Sequence, residues 1–181
     1  QSYEKSALKF RAEHRFKEMN NYINLSPIKK TLEIGCYDGM VSKELKDKGK
    51  EAYAVDIRSW IQEEVKEAGV KHYVMDPANL KFTDNSFDFI FTYDSFEHFS
   101  DPEKVLLEAA RVLKKNGYFF ISFGNCFHSA KALHINDKIN IPYCQLLFEK
   151  ELLNKYVKDH ELGEIHYDFI NNWTNSQFKK L

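Results

Sequence analysis

The stretch 31-TLEIGCYDGMVSKELKDKGKEAYAVD-56 decides the fold of this chain. Thr31–Ile34 is a short apolar run typical of a strand, and Gly39–Lys48 has the pattern of a helix, with Gly49 where a C-terminal cap is expected. Ala52–Val55 is a second short apolar run. A strand, a glycine-containing turn, a helix and another strand in this order predict one parallel βαβ unit.

The same alternation continues on both sides of this unit. Before it, apolar residues at steps of three and four predict an amphipathic helix over 3–24, stopped by Pro27. After it, Ser59 is expected to cap a helix over 60–68, and Asp101-Pro102-Glu103 opens a helix to about Leu113. Three more strands are predicted: His72–Met75, Phe87–Tyr93 and, after an Asn116-Gly117 turn, Tyr118–Phe123. The predicted fold is α/β, a doubly wound, mostly parallel, Rossmann-like sheet with helices on both faces.

The length favours a single domain over residues 1–181. We divide it into an N-terminal helix (1–30), a core that binds a ligand (31–124) and a C-terminal part (125–181). Residues 124–145 lack clear periodicity, and a loop of this length is typical of a functional lid or of a disordered segment. A helix is expected over 146–157 and a sixth strand is compatible with 164–170. No seventh strand can be assigned, so the C-terminal strands are expected to be shortened.

Composition limits the classes of function. With 26 basic and 27 acidic residues the formal net charge is −1, and no long basic run predicts strong binding to nucleic acid. No apolar stretch approaches the roughly 20 residues of a membrane helix and no signal peptide is visible, so we expect a cytoplasmic protein. The pattern carries no signal for oligomeric state. The residues Cys126, His128, His134 and Cys144 fit no compact metal motif, and no metal is expected.

Acidic residues follow successive predicted strands. Glu33 precedes the glycine turn after the first strand, Asp56 ends the second, Asp76 follows the third, and Tyr93-Asp94 ends the fourth. The carboxyl ends of parallel strands meet at one edge, where ligands bind in doubly wound sheets. A carboxylate after the second strand suits two ribose hydroxyls, and one after the third can meet the exocyclic amine of a base. Together they describe an adenosine-shaped ligand.

The first turn argues against a phosphate on that ligand. A dinucleotide site has the pattern G-x-G-x-x-G, whereas the glycines here are spaced G-x-x-x-G. Glu33, two residues before the first glycine, would repel a pyrophosphate and attract a cation. An adenosine bearing an amino-acid ammonium fits better than a nicotinamide dinucleotide, so an oxidoreductase is disfavoured.

These residues resemble a known family. TLEIGCYDG is similar to the first motif of class I S-adenosylmethionine-dependent methyltransferases, and AVDI at Ala54–Ile57 is similar to their second acidic motif. Met75–Ser122 resembles the small-molecule, methyltransferase type 11-like branch through its acidic, Phe-Asp, Glu-His and Leu-Lys-x-x-Gly elements. The resemblance covers roughly residues 30–123, with five motifs in order. It implies S-adenosylmethionine as cofactor and S-adenosylhomocysteine as product.

The resemblance also implies roles for matching positions. Glu33 and the turn of Gly35, Cys36, Tyr37 and Gly39 would hold the methionine portion of the cofactor. Asp56 would bind the ribose with Ile57 against the adenine face, Asp76 would meet the adenine amine beside Pro77, and Tyr93 would line the edge next to the transferable methyl. Two positions depart from the pattern. Tyr37 replaces the middle glycine, and Pro77 lacks the backbone N–H that the family commonly turns toward adenine.

We expect methyl transfer by in-line displacement to an unidentified, small-molecule acceptor. For a hydroxyl acceptor His98 is the first candidate base and Asp94 the second, whereas an amine or an activated carbon needs neither. The alternative role for His98 is packing against the first turn, and Asp56 and Asp76 are compatible with ordinary turn residues. The alternative function is a non-catalytic methyltransferase-like binding module.

Overall fold

The computed structural model describes residues 5–124, 128–130, 135, 137–167 and 170–181. Their strands form one parallel sheet in the order β3-β2-β1-β4-β5. The bounds are β1 Lys30–Ile34, β2 Glu51–Asp56, β3 Lys71–Val74, β4 Phe87–Tyr93 and β5 Leu113–Ser122. The order reverses direction between β1 and β4, which confirms the doubly wound α/β prediction and marks the switch point where such sheets bind ligands.

Seven α-helices and one 3-10 turn are found in the described ranges. They are α1 Lys5–Tyr22, α2 Met40–Asp47, α3 Glu63–Glu67, a 3-10 turn Phe96–His98, α4 Pro102–Val112, α5 Cys144–Leu147, α6 Lys150–Asp159 and α7 Asn175–Phe178. Each crossover between parallel strands is right-handed, so the face on which its helix lies depends on the direction in which the chain moves along the sheet. That direction changes at the switch point, and the helices before and after it lie on opposite faces. Helices α2 and α3 therefore share one face, and α4 lies on the other.

The core is centred on β4. Phe89 and Phe91 are fully buried against one face, in a cluster that includes Leu8 and Met19 of α1. Ile90, between the two phenylalanines, is fully buried as well. A strand that is buried on both faces explains why β4 reads as an uninterrupted apolar run in the sequence.

The predicted helix after β2 is wrong in its length. Helix α3 is confined to Glu63–Glu67, and Gln62 rather than Ser59 precedes its first turn. Gln62 is extended, and its N–H donates to the Asp38 carbonyl at 3.1 Å. This long-range bond, together with burial of Ile61, holds the chain out of a helix until Glu63.

The predicted Asn-Gly turn before the fifth strand is also wrong. Strand β5 already begins at Leu113 and contains Asn116 and Gly117. The pairing with β4 is irregular there, because Phe87 pairs with Leu113 and Phe89 with Tyr118. Between these two pairs β5 advances by five residues and β4 by two, so Asn116, with its positive φ, and Gly117 lie in an irregular part of the strand, and regular pairing begins at Tyr118.

The C-terminal segment departs further from the prediction. The helix expected over 146–157 is split into α5 and α6, because Phe148 is extended between them. In the described part of the expected sixth strand, residues 164–167 and 170, no strand is found. The described sheet has five strands, in agreement with the expected shortening at the C-terminal end.

The chain forms two compact units. The first contains the residues up to Phe96 and Pro102–Ser122, and the second contains Glu97–Asp101 and Phe123–Leu181. The first unit holds the whole sheet, and the second has its own small core of buried residues, Ile135, Ile139, Cys144, Leu153, Val157 and Ile165. The single-domain interpretation of residues 1–181 stays a prediction.

Candidate functional site

The turn between β1 and α2, residues 35–39, has a backbone that few sequences permit. Gly35, Tyr37 and Gly39 all have positive φ, at 74°, 49° and 76°. A Cβ atom added to Gly39 would lie 2.9 Å from Val65 Cγ1, so a glycine is required there by space as well as by conformation. Tyr37 adopts the left-handed conformation without being a glycine, and its N–H points to Asp56 Oδ2 at 2.9 Å.

Glu33, at the end of β1, is buried and bonded within the protein. Its Oε2 accepts hydrogen bonds from the Ser42 N–H at 3.0 Å and the Ser42 hydroxyl at 2.6 Å. Burial raises the pKa of this carboxyl to about 8, with Asp38 adding to the rise and Ser42 and Arg15 opposing it. Glu33 thus fixes the start of α2 behind the turn. Its predicted contact with the methionine portion of a cofactor stays a prediction.

The residue after Tyr37 was not singled out in the sequence, although it is central to the turn. Asp38 is 2% exposed, accepts from the Met40 N–H at 3.0 Å and forms an ion pair with Arg11 of α1. Cys36 is also buried, and burial together with the nearby Glu33 raises the pKa of its thiol. The thiol therefore stays protonated, and Cys36 acts as a small apolar residue.

Asp56 joins the turn after β2 to the turn after β1. One carboxylate oxygen accepts from the Tyr37 N–H, and the other accepts from the Arg58 N–H at 2.9 Å. Its own carbonyl accepts from the Met75 N–H at 3.0 Å, which ties the end of β3 to the end of β2. The three predicted acidic positions, Glu33, Asp56 and Asp76, therefore lie on neighbouring turns linked by hydrogen bonds.

Exposed aromatic side chains lie in the turns after β1 and β2, on both of which Asp56 forms hydrogen bonds. The Tyr37 ring packs edge-on against Trp60 at 5.9 Å and lies 5.0 Å below the Arg58 guanidinium. Tyr37 and Trp60 are 44% and 53% exposed, and Ile57 is 71% exposed. These flat surfaces at the end of β2 are available to a base or a sugar.

Asp76 is exposed, and its turn is held from behind. Its Oδ1 accepts from the Ala78 N–H at 2.9 Å, while Pro77 beside it is buried. Arg111 of α4 donates to the carbonyls of Leu80 and Phe82, both at 2.8 Å, and pairs with Asp84 and Glu108. A guanidinium that binds two carbonyls of one segment makes that segment rigid without occupying the Asp76 carboxylate.

The end of β4 is covered by α1. The Tyr93 hydroxyl donates to Glu18 at 3.0 Å, and the Arg15 guanidinium lies 4.7 Å over the Tyr93 ring and pairs with Asp94. Burial, followed by the bond to Glu18, raises the pKa of the Tyr93 hydroxyl, which is therefore unsuited to be a base. The Ser95 hydroxyl lies 2.9 Å from the Gly35 carbonyl and so connects this strand end to the first turn.

The remaining predicted residues lie in the second unit. His98 is half-buried in the 3-10 turn after Phe96. Of the four candidate metal ligands, Cys126 and His134 lie outside the described residues, whereas Cys144 is buried and the pKa of its thiol is raised by burial. Within the described ranges, three or more His, Cys, Asp or Glu residues do not cluster as a metal site.

Comparisons with known proteins agree with this geometry. Residues 32–121 match the model of the methyltransferase domain family. Phosphoethanolamine N-methyltransferase 2 of Caenorhabditis elegans is 26% identical over 118 residues, 61% of this chain and 27% of that protein. Malonyl-[acyl-carrier protein] O-methyltransferase 1 of Coxiella burnetii is 31% identical over 108 residues, 60% and 38% of the two. A crystal structure of SAM-dependent methyltransferases from Methanosarcina mazei matches with a TM-score of 0.50 and 27% identity, covering 57% of this chain and 55% of that one.

The chain belongs to the class I S-adenosylmethionine-dependent methyltransferase family. The predicted family and its cofactor, S-adenosylmethionine with S-adenosylhomocysteine as product, are confirmed at this level. The chain spans 27% and 38% of the length of the two curated relatives that it matches.

The site chemistry fits the methyltransferase cofactor. A sulfonium and an ammonium are cations, and the carboxylates of Asp56 and Asp94 lie at the ends of β2 and β4. A phosphate-bearing cofactor would meet repulsion from these two carboxylates, whereas Asp38 is paired with Arg11 and the raised pKa of Glu33 leaves it largely protonated near neutral pH. The aromatic surfaces of Tyr37 and Trp60 suit a cation or an adenine face.

The sequence predicted that the N-terminal helix closes over the candidate site together with the 124–145 loop, but it did not identify the side chains of α1 that reach the strand ends. Arg11 and Arg15 are four residues apart and therefore share a helix face, a signal that the sequence did contain. Their partners, Asp38 and Asp94, lie 27 and 79 residues further along the chain. No local pattern reveals such pairs, because they depend on how α1 packs on the sheet.

Among the described helices, none combines the length and the apolar character needed to cross a membrane.

Proposed function

We propose that this chain is an S-adenosylmethionine-dependent methyltransferase that transfers a methyl group to a small-molecule acceptor. The observation that carries the proposal is the environment of Asp56. Its two carboxylate oxygens are oriented by the N–H groups of Tyr37 and Arg58, at the end of β2 and next to the glycine-containing turn of residues 35–39. A carboxylate in this place binds the two ribose hydroxyls of an adenosine.

When bound, S-adenosylmethionine supplies a methyl group on a positively charged sulfur, which a nucleophile displaces in line. The protein binds and orients the reactants and excludes water. The turn of residues 35–39 and Glu33 hold the methionine portion, Asp56 and Ile57 hold the ribose and the adenine face, and Asp76 meets the adenine amine. Tyr93 keeps its proton and forms a wall of the pocket.

A hydroxyl acceptor needs a base, and Asp94 and His98 are the two candidates. The Asp94 side chain is 62% exposed at the end of β4, where an acceptor can reach it. Its ion pair with Arg15 orients the carboxylate. His98, in the second unit, acts as the base only if it comes within hydrogen-bond reach of the acceptor.

A small-molecule acceptor is supported by the balanced charge of the chain, 26 basic against 27 acidic residues, whereas a domain that binds nucleic acid commonly carries an excess of basic residues. The relative from Caenorhabditis elegans is named for phosphoethanolamine, and the one from Coxiella burnetii for a malonyl group on a carrier protein. Nitrogen and oxygen acceptors thus both occur among relatives. The cytoplasmic location and the oligomeric state stay open to experiment.

Calorimetry on the full chain tests the proposal. We expect both S-adenosylmethionine and S-adenosylhomocysteine to bind, and NAD to bind far more weakly. Asp56→Ala should weaken both by about tenfold or more, since it removes charge-assisted hydrogen bonds to the ribose, and the variant should remain folded but with a lower melting temperature, because the Tyr37 and Arg58 N–H groups lose their acceptor. Failure of the wild type to bind either ligand at millimolar concentration contradicts the proposal.

The alternative, a non-catalytic binding module, is favoured by Tyr37, whose side chain sits where the family has a glycine and packs on Arg58 and Trp60. Transfer of labelled methyl groups to pools of small molecules separates the two functions. A module binds no cofactor, or binds it without transfer to any pool. Product formation in one pool identifies the acceptor class and rejects the module.

A further inference from the structure

The two edges of the sheet carry net charges of opposite sign. We define the amino edge as the first three residues of each strand with the two residues before it, 25 residues that include seven basic and two acidic ones. With histidine taken as neutral its net charge is +5, so the remaining 156 residues together carry −6. The carboxyl edge, taken in the same way from the strand ends, has four acidic residues and one basic residue, Arg58. A chain that is nearly neutral as a whole therefore has a basic edge opposite the candidate functional site.

The positive charge of the amino edge comes almost entirely from lysines. The one arginine, Arg111, pairs with Asp84 and Glu108 and is thereby neutralised. The six lysines belong to the beginnings of β1, β2, β3 and β5, so they extend across the sheet, over about 20 Å at a strand spacing of about 4.8 Å. They are Lys29, Lys30, Lys50, Lys71, Lys114 and Lys115.

The two acids of the amino edge are each bonded to a lysine of that edge. Glu51 accepts from Lys71 at 2.6 Å, and Asp88 accepts from Lys114 at 2.7 Å. Asp88 also accepts from two backbone N–H groups of β1 and the residue before it, at 2.7 and 3.1 Å. Two acids that are fixed in this way leave the charge of the other four lysines uncompensated at this edge.

Those other lysines differ in how they are held. Lys50 donates to the carbonyls of Leu25 and Ser26, which are neutral, so it is fixed and keeps its charge. Among the residues that the structure describes, neither Lys29 nor Lys115 has a carboxylate at ion-pair distance, and both are exposed. These two ammonium groups can therefore reach an external anion without losing a partner within the protein.

Lysines cover the aromatic rings at this edge. The Lys30 ammonium lies 4.7 Å from the centre of the Tyr53 ring and 5.0 Å from that of Phe87, and the Lys71 ammonium lies 4.6 Å from that of Tyr53. Tyr53 is 8% exposed and Phe87 is fully buried. Binding of single-stranded nucleic acid uses open aromatic faces, and specific protein interfaces use aromatic or arginine anchors. Tyr53 and Phe87 provide neither, because they are buried beneath ammonium groups.

The choice of lysine also indicates the kind of partner. Arginine recognises a carboxylate or a phosphate with two parallel hydrogen bonds, whereas lysine acts as a point charge without fixed geometry. The headgroups of a bilayer are mobile, and each lysine near an anionic leaflet adds to the binding. A row of lysines without an aromatic or arginine anchor fits such a surface best.

We propose that the amino edge of the sheet docks on a surface of anionic phospholipids. The lysines bind the headgroups by charge alone, so the docking is reversible and weakened by salt. The acidic carboxyl edge is then directed away from the lipid, which leaves the candidate functional site in contact with water. None of the six lysines belongs to that site, so the inference does not depend on the proposed function.

Co-sedimentation of the full chain with vesicles tests the proposal. The vesicles consist of phosphatidylcholine alone or of phosphatidylcholine with about 30% phosphatidylserine. We expect binding to the second kind only, with most of it lost between about 0.05 and about 0.5 M NaCl. Lys29→Gln/Lys115→Gln removes the two exposed charges that have no carboxylate partner, and should weaken binding to the anionic vesicles by about tenfold or more.

Lys17→Gln/Lys158→Gln is the matched control. It removes two exposed lysines of α1 and α6 that lie outside the amino edge, and should change binding to the anionic vesicles by less than about twofold. Both double variants should melt at the temperature of the wild type, because all four lysines are exposed or free of ion pairs. Equal losses in the two variants would mean that net charge rather than this edge binds the lipid, and would overturn the proposal. Equal binding of the wild type to both kinds of vesicle, or no binding at low salt, would overturn it as well.

Single-stranded RNA and polyglutamate serve as probes for other anionic partners. If either binds the wild type more tightly than the anionic vesicles do, and Lys29→Gln/Lys115→Gln loses that binding, the amino edge belongs to that class of partner and the lipid assignment is wrong. The outcomes are also separate from those of the proposed function. A wild type that binds S-adenosylhomocysteine but no vesicles keeps the methyltransferase proposal and rejects only the docking surface.

Discussion

Two acidic turns at the same edge of the sheet use their carboxylates in opposite ways. At the end of β1 and in the turn that follows it, Glu33 and Asp38 are 3% and 2% exposed, and their oxygens bind groups of the protein itself. In the segment between β3 and β4, residues 75–86, Asp76 is exposed and accepts one N–H from its own turn. The buried carboxylates near the first turn stabilise its backbone, whereas the Asp76 carboxylate in the β3–β4 segment is exposed to solvent.

The difference shows where rigidity comes from in each case. The first turn is rigid because its carboxylates lie inside it, between β1, α2 and Arg11. The β3–β4 segment is rigid because Arg111 and Glu108 of α4 hold it from behind, the latter accepting from the Leu80 N–H at 2.8 Å. Substitution of an acid near the first turn is thus expected to change mainly the stability of the protein. Substitution of Asp76 is expected to change mainly the selectivity for the ligand.

The largest expected effect is at Glu33. Glu33→Ala leaves the Ser42 N–H and hydroxyl without their acceptor in a buried place, which should cost about 2–4 kcal/mol of unfolding free energy in urea titrations. Glu33→Gln keeps an oxygen acceptor and should stay within about 1 kcal/mol of the wild type near neutral pH. A fully stable alanine variant would contradict the structural role of this carboxylate.

The pH dependence gives this prediction a sign. Because burial raises the pKa of Glu33 from 4.5 to about 8, the folded protein holds this proton over a range in which the unfolded chain has lost it. The contribution of Glu33 is therefore fully present below pH 4.5 and is lost as the pH rises toward 8. Glu33→Gln should remove this decline, so its stability relative to the wild type should increase between pH 5 and pH 9.

The sequence predicted those parts of the fold that short patterns control. Strand β4 was predicted with its observed bounds, Phe87–Tyr93, because burial on both faces leaves an uninterrupted apolar run. Helix α3 was predicted too long, because the bond from the Gln62 N–H to the Asp38 carbonyl is invisible in a local window. The break between α5 and α6 at Phe148 was likewise not predicted, because no glycine or proline stands there to indicate the end of a helix.

The sequence predicted which turns form the candidate site, but it did not predict the hydrogen bonds and ion pairs of the side chains in them. Glycine spacing and the acids Glu33, Asp56 and Asp76 mark the turns, since strand ends are adjacent in any parallel sheet. Which oxygen binds which donor depends on partners far along the chain, such as Ser42 for Glu33 and Arg15 for Asp94. These partners follow from packing, which single-sequence patterns do not encode.

A smaller effect is expected from the glycine that closes the first turn. Gly39→Ala combines a positive φ of 76° with a Cβ atom 2.9 Å from Val65, and should cost about 2–3 kcal/mol. Gly49→Ala is the matched control, because φ is 80° there and nothing lies within 4 Å of the added atom. It should cost about 1 kcal/mol, the conformational part alone, as measured by urea denaturation. Equal losses in the two variants would show that contact with Val65 contributes nothing.

The smallest effect on stability, and the most selective one on binding, is expected at Asp76. Asp76→Ala removes one hydrogen bond from an exposed turn and should change the unfolding free energy by less than about 1 kcal/mol. If its carboxylate meets the adenine amine, the variant should lower the preference for S-adenosylhomocysteine over S-inosylhomocysteine, which carries an oxygen in place of that amine, by about tenfold. Asp84→Ala is the matched control, since Asp84 lies in the same segment, is 66% exposed and pairs with Arg111. It should loosen the segment and leave the preference for the base intact.

A loss of preference in both variants would mean that rigidity of the segment, rather than the Asp76 carboxylate, selects adenine. The contrast between the two turns would then reduce to one of burial.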